Sequence, residues 1–267
     1  MKGGKRPLGY TIVEVMIVLA ISGVMFAIAA SFISGKQAKT EFTEGTNDFT
    51  SQVQGVISQV IDGQFSDVAL TCTAGAALSF NTGAAQGGQA APCVFVGKFL
   101  HFSESNNPSN YEIFSLAGSR NVTSLTGPPP ITPVALPYAQ TADADLTSQE
   151  VIPQGLSINN NEANPIQVVD SNGVTRNTFG FGFVQSLGSS NGNGGFNNGG
   201  QTVGLVYSSG LGSNNLNETG AAGAITGTLL PATSASICLT DGTRYAQVLV
   251  GTNGNQLSAT LKVVATC

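Results

Sequence analysis

The residues able to do chemistry in this 267-residue chain are few, and most suit bonds between protein groups rather than catalysis. Glu14 is the one charge in an apolar run, residues 9–33, and nothing ionisable follows it until Lys36. A carboxylate within a membrane-length helix costs about 2.5–3.5 kcal/mol on insertion scales, so it needs head groups or a positive partner. Cys72, Cys93, Cys238 and Cys267 are even in number, all follow the apolar run, and include no Cys-x-x-Cys pair. That suits two disulfides in an oxidising exterior better than a metal site. Of three connectivities, the sequence-near one joins Cys72 to Cys93 and Cys238 to Cys267, each closing a loop of about 20–30 residues for about 3 kcal/mol. Free thiols are the alternative.

The single histidine, His101, stands between Leu100 and Phe102 in a strand-like run and reads as half-packed on a sheet, not as a base or ligand. Asp143, Asp145 and Asp241 could lend oxygens to a calcium ion but lack the spacing of a defined loop, so no metal is expected. No Gly-x-Ser-x-Gly elbow or phosphate-binding loop occurs. Gly180-Phe181-Gly182 starts like a dinucleotide fingerprint, but Gln185 stands where the third Gly belongs. Asn121 and Asn217 head glycosylation-acceptor triplets too short to carry weight. Neither an enzyme nor a cofactor is expected.

Two kinds of element must position these residues. Roughly 24 apolar-biased residues make a helix about 36 Å long, enough to cross a ~30 Å hydrocarbon core with some tilt. Lys2, Lys5 and Arg6 precede it, which keeps its start cytoplasmic and the remainder outside. Apolar residues then fall at Phe42, Phe49, Val53, Val56, Ile57, Val60 and Ile61. This spacing predicts an amphipathic continuation to about Gly63, with Lys39, Glu44, Asp48 and Gln52 on the other face. Gly23 and Gly35 are points where it could loosen. Beyond Cys72 the pattern turns to strands and turns, with 34 Gly in the chain and only 9% charged residues. Residues 75–91 read as loop; 94–96, 99–102 and 111–116 as strand; 127–137 as a proline-rich linker or wrapping loop. Residues 156–158 and 166–169 flank an Asn-rich turn, and Asp170-Ser171-Asn172-Gly173 is another. Residues 178–184 alternate Phe179, Phe181 and Phe183 along one strand face. Residues 188–200 and 208–223 are polar Gly/Asn-rich loops around strand 203–207. Strands 237–239, 245–250 and 257–264 close the chain around the Asp241-Gly242 and Asn253-Gly254 turns.

The N-terminus resembles a known family. Lys5-Arg6-Pro7-Leu8-Gly9 followed by Tyr10-Thr11-Ile12-Val13-Glu14 is similar to the class III leader and helix start of type IV prepilins and pseudopilins. The resemblance implies cleavage after Gly9 by a prepilin peptidase and methylation of the new amino terminus on Tyr10, where the family prefers Phe. Glu14 would neutralise the terminal amine of a neighbouring subunit during assembly. It also implies a pilin-like α+β fold, a long helix packed on an antiparallel sheet. The domains follow: leader 1–9, transmembrane and assembly helix 10–35, amphipathic continuation 36–65, β-rich globular domain 66–267. Partners would be other pilin subunits, the peptidase, an inner-membrane assembly platform and the membrane itself. The location would be the cytoplasmic membrane, then an extracellular filament.

Cleavage would leave seven basic residues against fifteen acidic ones, a balance that disfavours a nucleic-acid partner. Ile152-Pro153-Gln154-Gly155-Leu156-Ser157-Ile158 is faintly similar to H-type minor pilins and pseudopilins and leans the reading towards a minor subunit of an adhesion or motility pilus. A major pilin or a secretion-system pseudopilin comes next. An ordinary secretory signal cut at Ala27-Ile28-Ala29 is the rival for the N-terminus, giving a secreted or membrane-anchored surface protein. Its apolar region would exceed the usual length and contain a Glu.

Overall fold

The stretch after Thr11 contains no proline and many good helix formers, and it folds as one helix, α1 (Ile12–Ile61). This is a computed structural model, which describes residues 11–63, 70–71, 79–80, 93–102, 109–119, 136–137, 147–159, 166–185, 203–208, 229–253 and 256–267. The helix ends where Gly63 takes a left-handed conformation, φ 65°, and turns its N–H to the Val60 carbonyl at 3.3 Å. The chain divides into two compact units, Met1–Glu44 and Gly45–Cys267. The second carries the last part of α1 and the strands.

These strands are β1 (Leu70–Thr71), β2 (Ser79–Phe80), β3 (Cys93–Phe102), β4 (Asn110–Ser119), β5 (Leu136–Pro137), β6 (Thr147–Val151), β7 (Ser157–Ile158) and β8 (Ile166–Asp170). After them come β9 (Thr175–Thr178), β10 (Gly180–Gln185), β11 (Val203–Ser208), β12 (Leu229–Thr240), β13 (Tyr245–Asn253) and β14 (Gln256–Val264), and a 3-10 turn, Pro153–Gly155, precedes β7. β1 and β2 pair with each other. The other strands form one sheet in the order β14-β13-β12-β11-β10-β3-β4-β5, with β6 on β4, β7 and β8 on β12, and β9 on β8. Every described pairing is antiparallel. The expected α+β architecture, a long helix with an antiparallel sheet, is the one observed.

β12 is the seam. Ala232 is opposite both Leu205 and Asp170, and Ser234 is opposite both Gly251 and Val169. β11 and β13 therefore follow one another along one edge of β12, while β8 holds the other.

The core of the second unit lies between α1 and the sheet. Phe49, Val53, Val56, Ile57 and Val60 recur at helical spacing and are all buried. The Phe49 ring meets Tyr111 edge-on at 5.5 Å between centroids and Phe102 at 6.4 Å, and Phe102 stacks on Phe181 at 6.1 Å. From the other strands Ile237, Leu239, Ala246, Val248 and Val250 complete a layer of fully buried side chains. Alternation places Phe99 and His101 on the face of β3 opposite to Phe102.

Several expectations need correction. Gln52 does not sit on the solvent face of α1: its Oε1 accepts the Tyr111 hydroxyl at 2.9 Å. The strand expected over residues 178–184 breaks at Phe179, because Thr178 Oγ1 accepts the Gly180 N–H at 3.3 Å in place of a ladder bond. Ser79 and Phe80, expected in a loop, form a ladder with Leu70 and Thr71, and Leu136–Pro137 in the proline-rich passage pairs with β4. His101 is wholly buried rather than half-packed. Ser208, expected to open the loop over 208–223, instead ends β11 opposite Leu229. The remainder of that loop, the loop expected over 188–200, most of 75–91 and 127–137, Gly254, and residues Asp143, Asp145, Asn121 and Asn217 lie outside the described residues.

Candidate functional site

Thr11 caps α1. Its Oγ1 lies 3.3 Å from the Glu14 N–H, and its carbonyl accepts the amides of Glu14 at 3.1 Å and Val15 at 3.3 Å. Thr11-Ile12-Val13-Glu14 has the Thr-x-x-Glu spacing of a capping box, which puts the acid in the first turn, near the positive end of the helix dipole. Around and beyond it the helix presents apolar side chains outward on all sides: Ile12 is 80% exposed, Leu19 66% and Phe26 77%. Among the described residues no basic group lies within ion-pair distance of the Glu14 carboxylate. The helix is long and apolar enough to cross a membrane. Gly9 and Tyr10, the expected processing residues, lie outside the described residues.

The sheet-bearing unit holds the other polar groups. His101 Nδ1 is 3.4 Å from Glu112 Oε2, directly across the β3–β4 ladder, and both side chains are buried. Among the described residues no cluster of three His, Cys, Asp or Glu forms around this pair or elsewhere. Glu112 was not singled out from sequence, because only the strand register brings it opposite His101. Asp241 is committed to its own turn: Oδ1 accepts the amides of Thr243 and Arg244 at 2.8 and 2.7 Å and the Thr243 hydroxyl at 2.8 Å. Burial pushes its carboxyl up, but the Thr243 and Arg244 bonds outweigh that and hold it below the usual range.

The bonds of three glutamines of α1 were not foreseen, because each is made with a group far along the chain. Gln52 receives the Tyr111 hydroxyl, Gln54 Oε1 the Ala259 N–H at 2.9 Å, and Gln59 Oε1 the Lys98 ammonium at 2.6 Å. Together they tie one helix to β4, β14 and β3. Burial lowers the Lys98 ammonium below its ordinary range, while burial and then the Glu150 carboxylate raise the Tyr111 phenol, which stays a neutral donor. α1 has no basic residue in its own last turn, so Lys98 supplies the positive charge at the negative end of the helix.

Cys238 on β12 is joined to Cys267, with their Cα atoms 6.1 Å apart and 29 residues between them in sequence. Cys267, three residues beyond the end of β14, is thereby tied to β12, from which β13 separates β14 in the sheet. Cys93 opens β3, and Cys72 lies outside the described residues.

Residues 4–30 match the family model of the prokaryotic N-terminal methylation motif. No curated protein and no solved structure matches the chain.

Proposed function

We propose, for a chain whose leader and helix start are those of a type IV pilin-like prepilin, that it is a minor structural subunit of a type IV pilus serving adhesion or motility. The prepilin peptidase cuts after Gly9, methylates Tyr10, and leaves α1 in the cytoplasmic membrane with the sheet domain outside. The assembly platform then moves the subunit into a filament, where α1 lies among the helices of other pilins.

One observation carries this reading: a single carboxylate, Glu14, stands in the first turn of α1, and residues 12–31 of that helix hold no other charge and are exposed on every side. Such a helix needs an apolar surround, and in that surround an uncompensated acid is penalised by several kcal/mol. The methylated amine of Tyr10 on an adjacent chain is the cation that would relieve it. Its pairing would set register between subunits without any catalytic step.

Mass spectrometry of the mature chain tests the processing, with an N-methylated Tyr10 expected and a start at Ala30 overturning it. Glu14→Ala tests the pairing. The variant should stay in the membrane at normal level yet fall at least about tenfold in sheared filaments, since about 1.4 kcal/mol is a factor of ten. Undiminished incorporation would remove Glu14 from the mechanism.

A further inference from the structure

Gln154 is the one residue other than glycine with positive φ among the described residues, at φ 57° and ψ 29°. It sits in the Pro153–Gly155 turn beside Gly155, whose φ is 68°. Left-handed backbone at a non-glycine residue persists only where the surroundings hold it, and here both flanks are fixed. Ile152 and Leu156 are each 1% exposed, and the Ile152 N–H is bonded to the Ser109 carbonyl at 2.7 Å. Further on, Ile158 lies opposite Leu239 on β12.

The turn faces Gly45 of α1. A Cβ built on Gly45 would stand 2.9 Å from Gln154 Cβ, 3.0 Å from Leu156 Cδ1 and 3.1 Å from the Pro153 carbonyl oxygen. Gly55, on the same helix, has nothing within 4 Å of the corresponding position. A helix-interior glycine normally weakens a helix relative to alanine. At Gly45 the missing side chain is what lets the turn close on the helix. The same residue begins the sheet-bearing unit, and residues 36–41 before it are exposed on all faces of α1, Phe42 being the first buried side chain after them.

We infer that the Pro153–Gly155 turn is a clamp seated on Gly45, which fixes where along α1 the grip of the sheet domain on the helix is set. The strained Gln154 backbone is held in place to make that grip, and Gly45 is the notch that receives it. The clamp acts the same whether or not the chain enters a filament.

The test compares alanine at two glycines of one helix in the full-length chain in detergent micelles. Gly55→Ala should raise the melting midpoint by about 2–4 °C, the ordinary gain for a helix glycine. Gly45→Ala should lower it, because the turn's backbone must move. Adding Gln154→Gly, which removes the nearest opposing atom, should recover part of that loss in a non-additive cycle. By hydrogen exchange, amide protection should step up between residues 41 and 46 in the wild-type chain, and the step should move towards the helix C-terminus in Gly45→Ala. If Gly45→Ala does not fold, a folded double variant supports the clamp and an unfolded one overturns it. A rise in midpoint for Gly45→Ala, additivity in the cycle, or an unmoved protection step would each overturn it.

Discussion

Asp170 shows how much one side chain can organise. Its Oδ1 accepts the amides of Asn172 and Val174, each at 2.9 Å, and Arg176 Nε lies 3.3 Å from Oδ2. The Val174 bond first, then those from Asn172 and Arg176, hold its carboxyl below the usual range against the opposing effect of burial. With the folded value below the unfolded one, the contribution is full above the ordinary carboxylate range, about pH 4, and is lost as pH falls through the folded value. Asp170→Asn should therefore lower the urea midpoint at pH 7 and flatten its decline on acidification; an unchanged pH profile would count against the role. The turn itself was legible in Asp170-Ser171-Asn172-Gly173, since those residue types favour local side-chain bonds. The His101–Glu112 pairing was not, because a strand register decides it and no spacing in sequence encodes that register.

At the scale of elements, α1 and the last three strands were readable because hydrophobic period and turn residues agree there. The start of β12 was not: Pro231 cannot donate to a ladder, and residues 229–234 lack alternation, yet the stretch pairs with Val206 and its neighbours. The helix face was legible as apolar, but not its glutamine ties, which depend on strands reached through long connections. Phe49 is the centre of the helix–sheet contact, touching Phe102 and Tyr111 while fully buried. Phe49→Ala should cost about 3–5 kcal/mol of domain stability in denaturant titration. Phe26→Ala, with its ring 77% exposed on the same helix, should leave that stability unchanged in micelles. Equal losses would mean that the two stretches of helix unfold as one with the domain.

At the scale of the whole chain, the Cys238–Cys267 bond closes a stretch that includes β13 and β14, and β14 is an edge strand of the sheet. Chain-entropy estimates for a loop of that length give about 3–4 kcal/mol. Replacing both cysteines by serine should lower unfolding stability by about that amount, with amides of β14 the first to gain exchange; uniform exchange across the sheet would point elsewhere. The apolar N-terminal stretch has a different consequence. Twelve large hydrophobic side chains lie exposed between Ile12 and Ile28, and each would forfeit about 1.5–3 kcal/mol if left facing water. Those losses add along one short stretch, so the same side chains that would dissolve poorly on their own make this end of the molecule cohere with any apolar surround it meets.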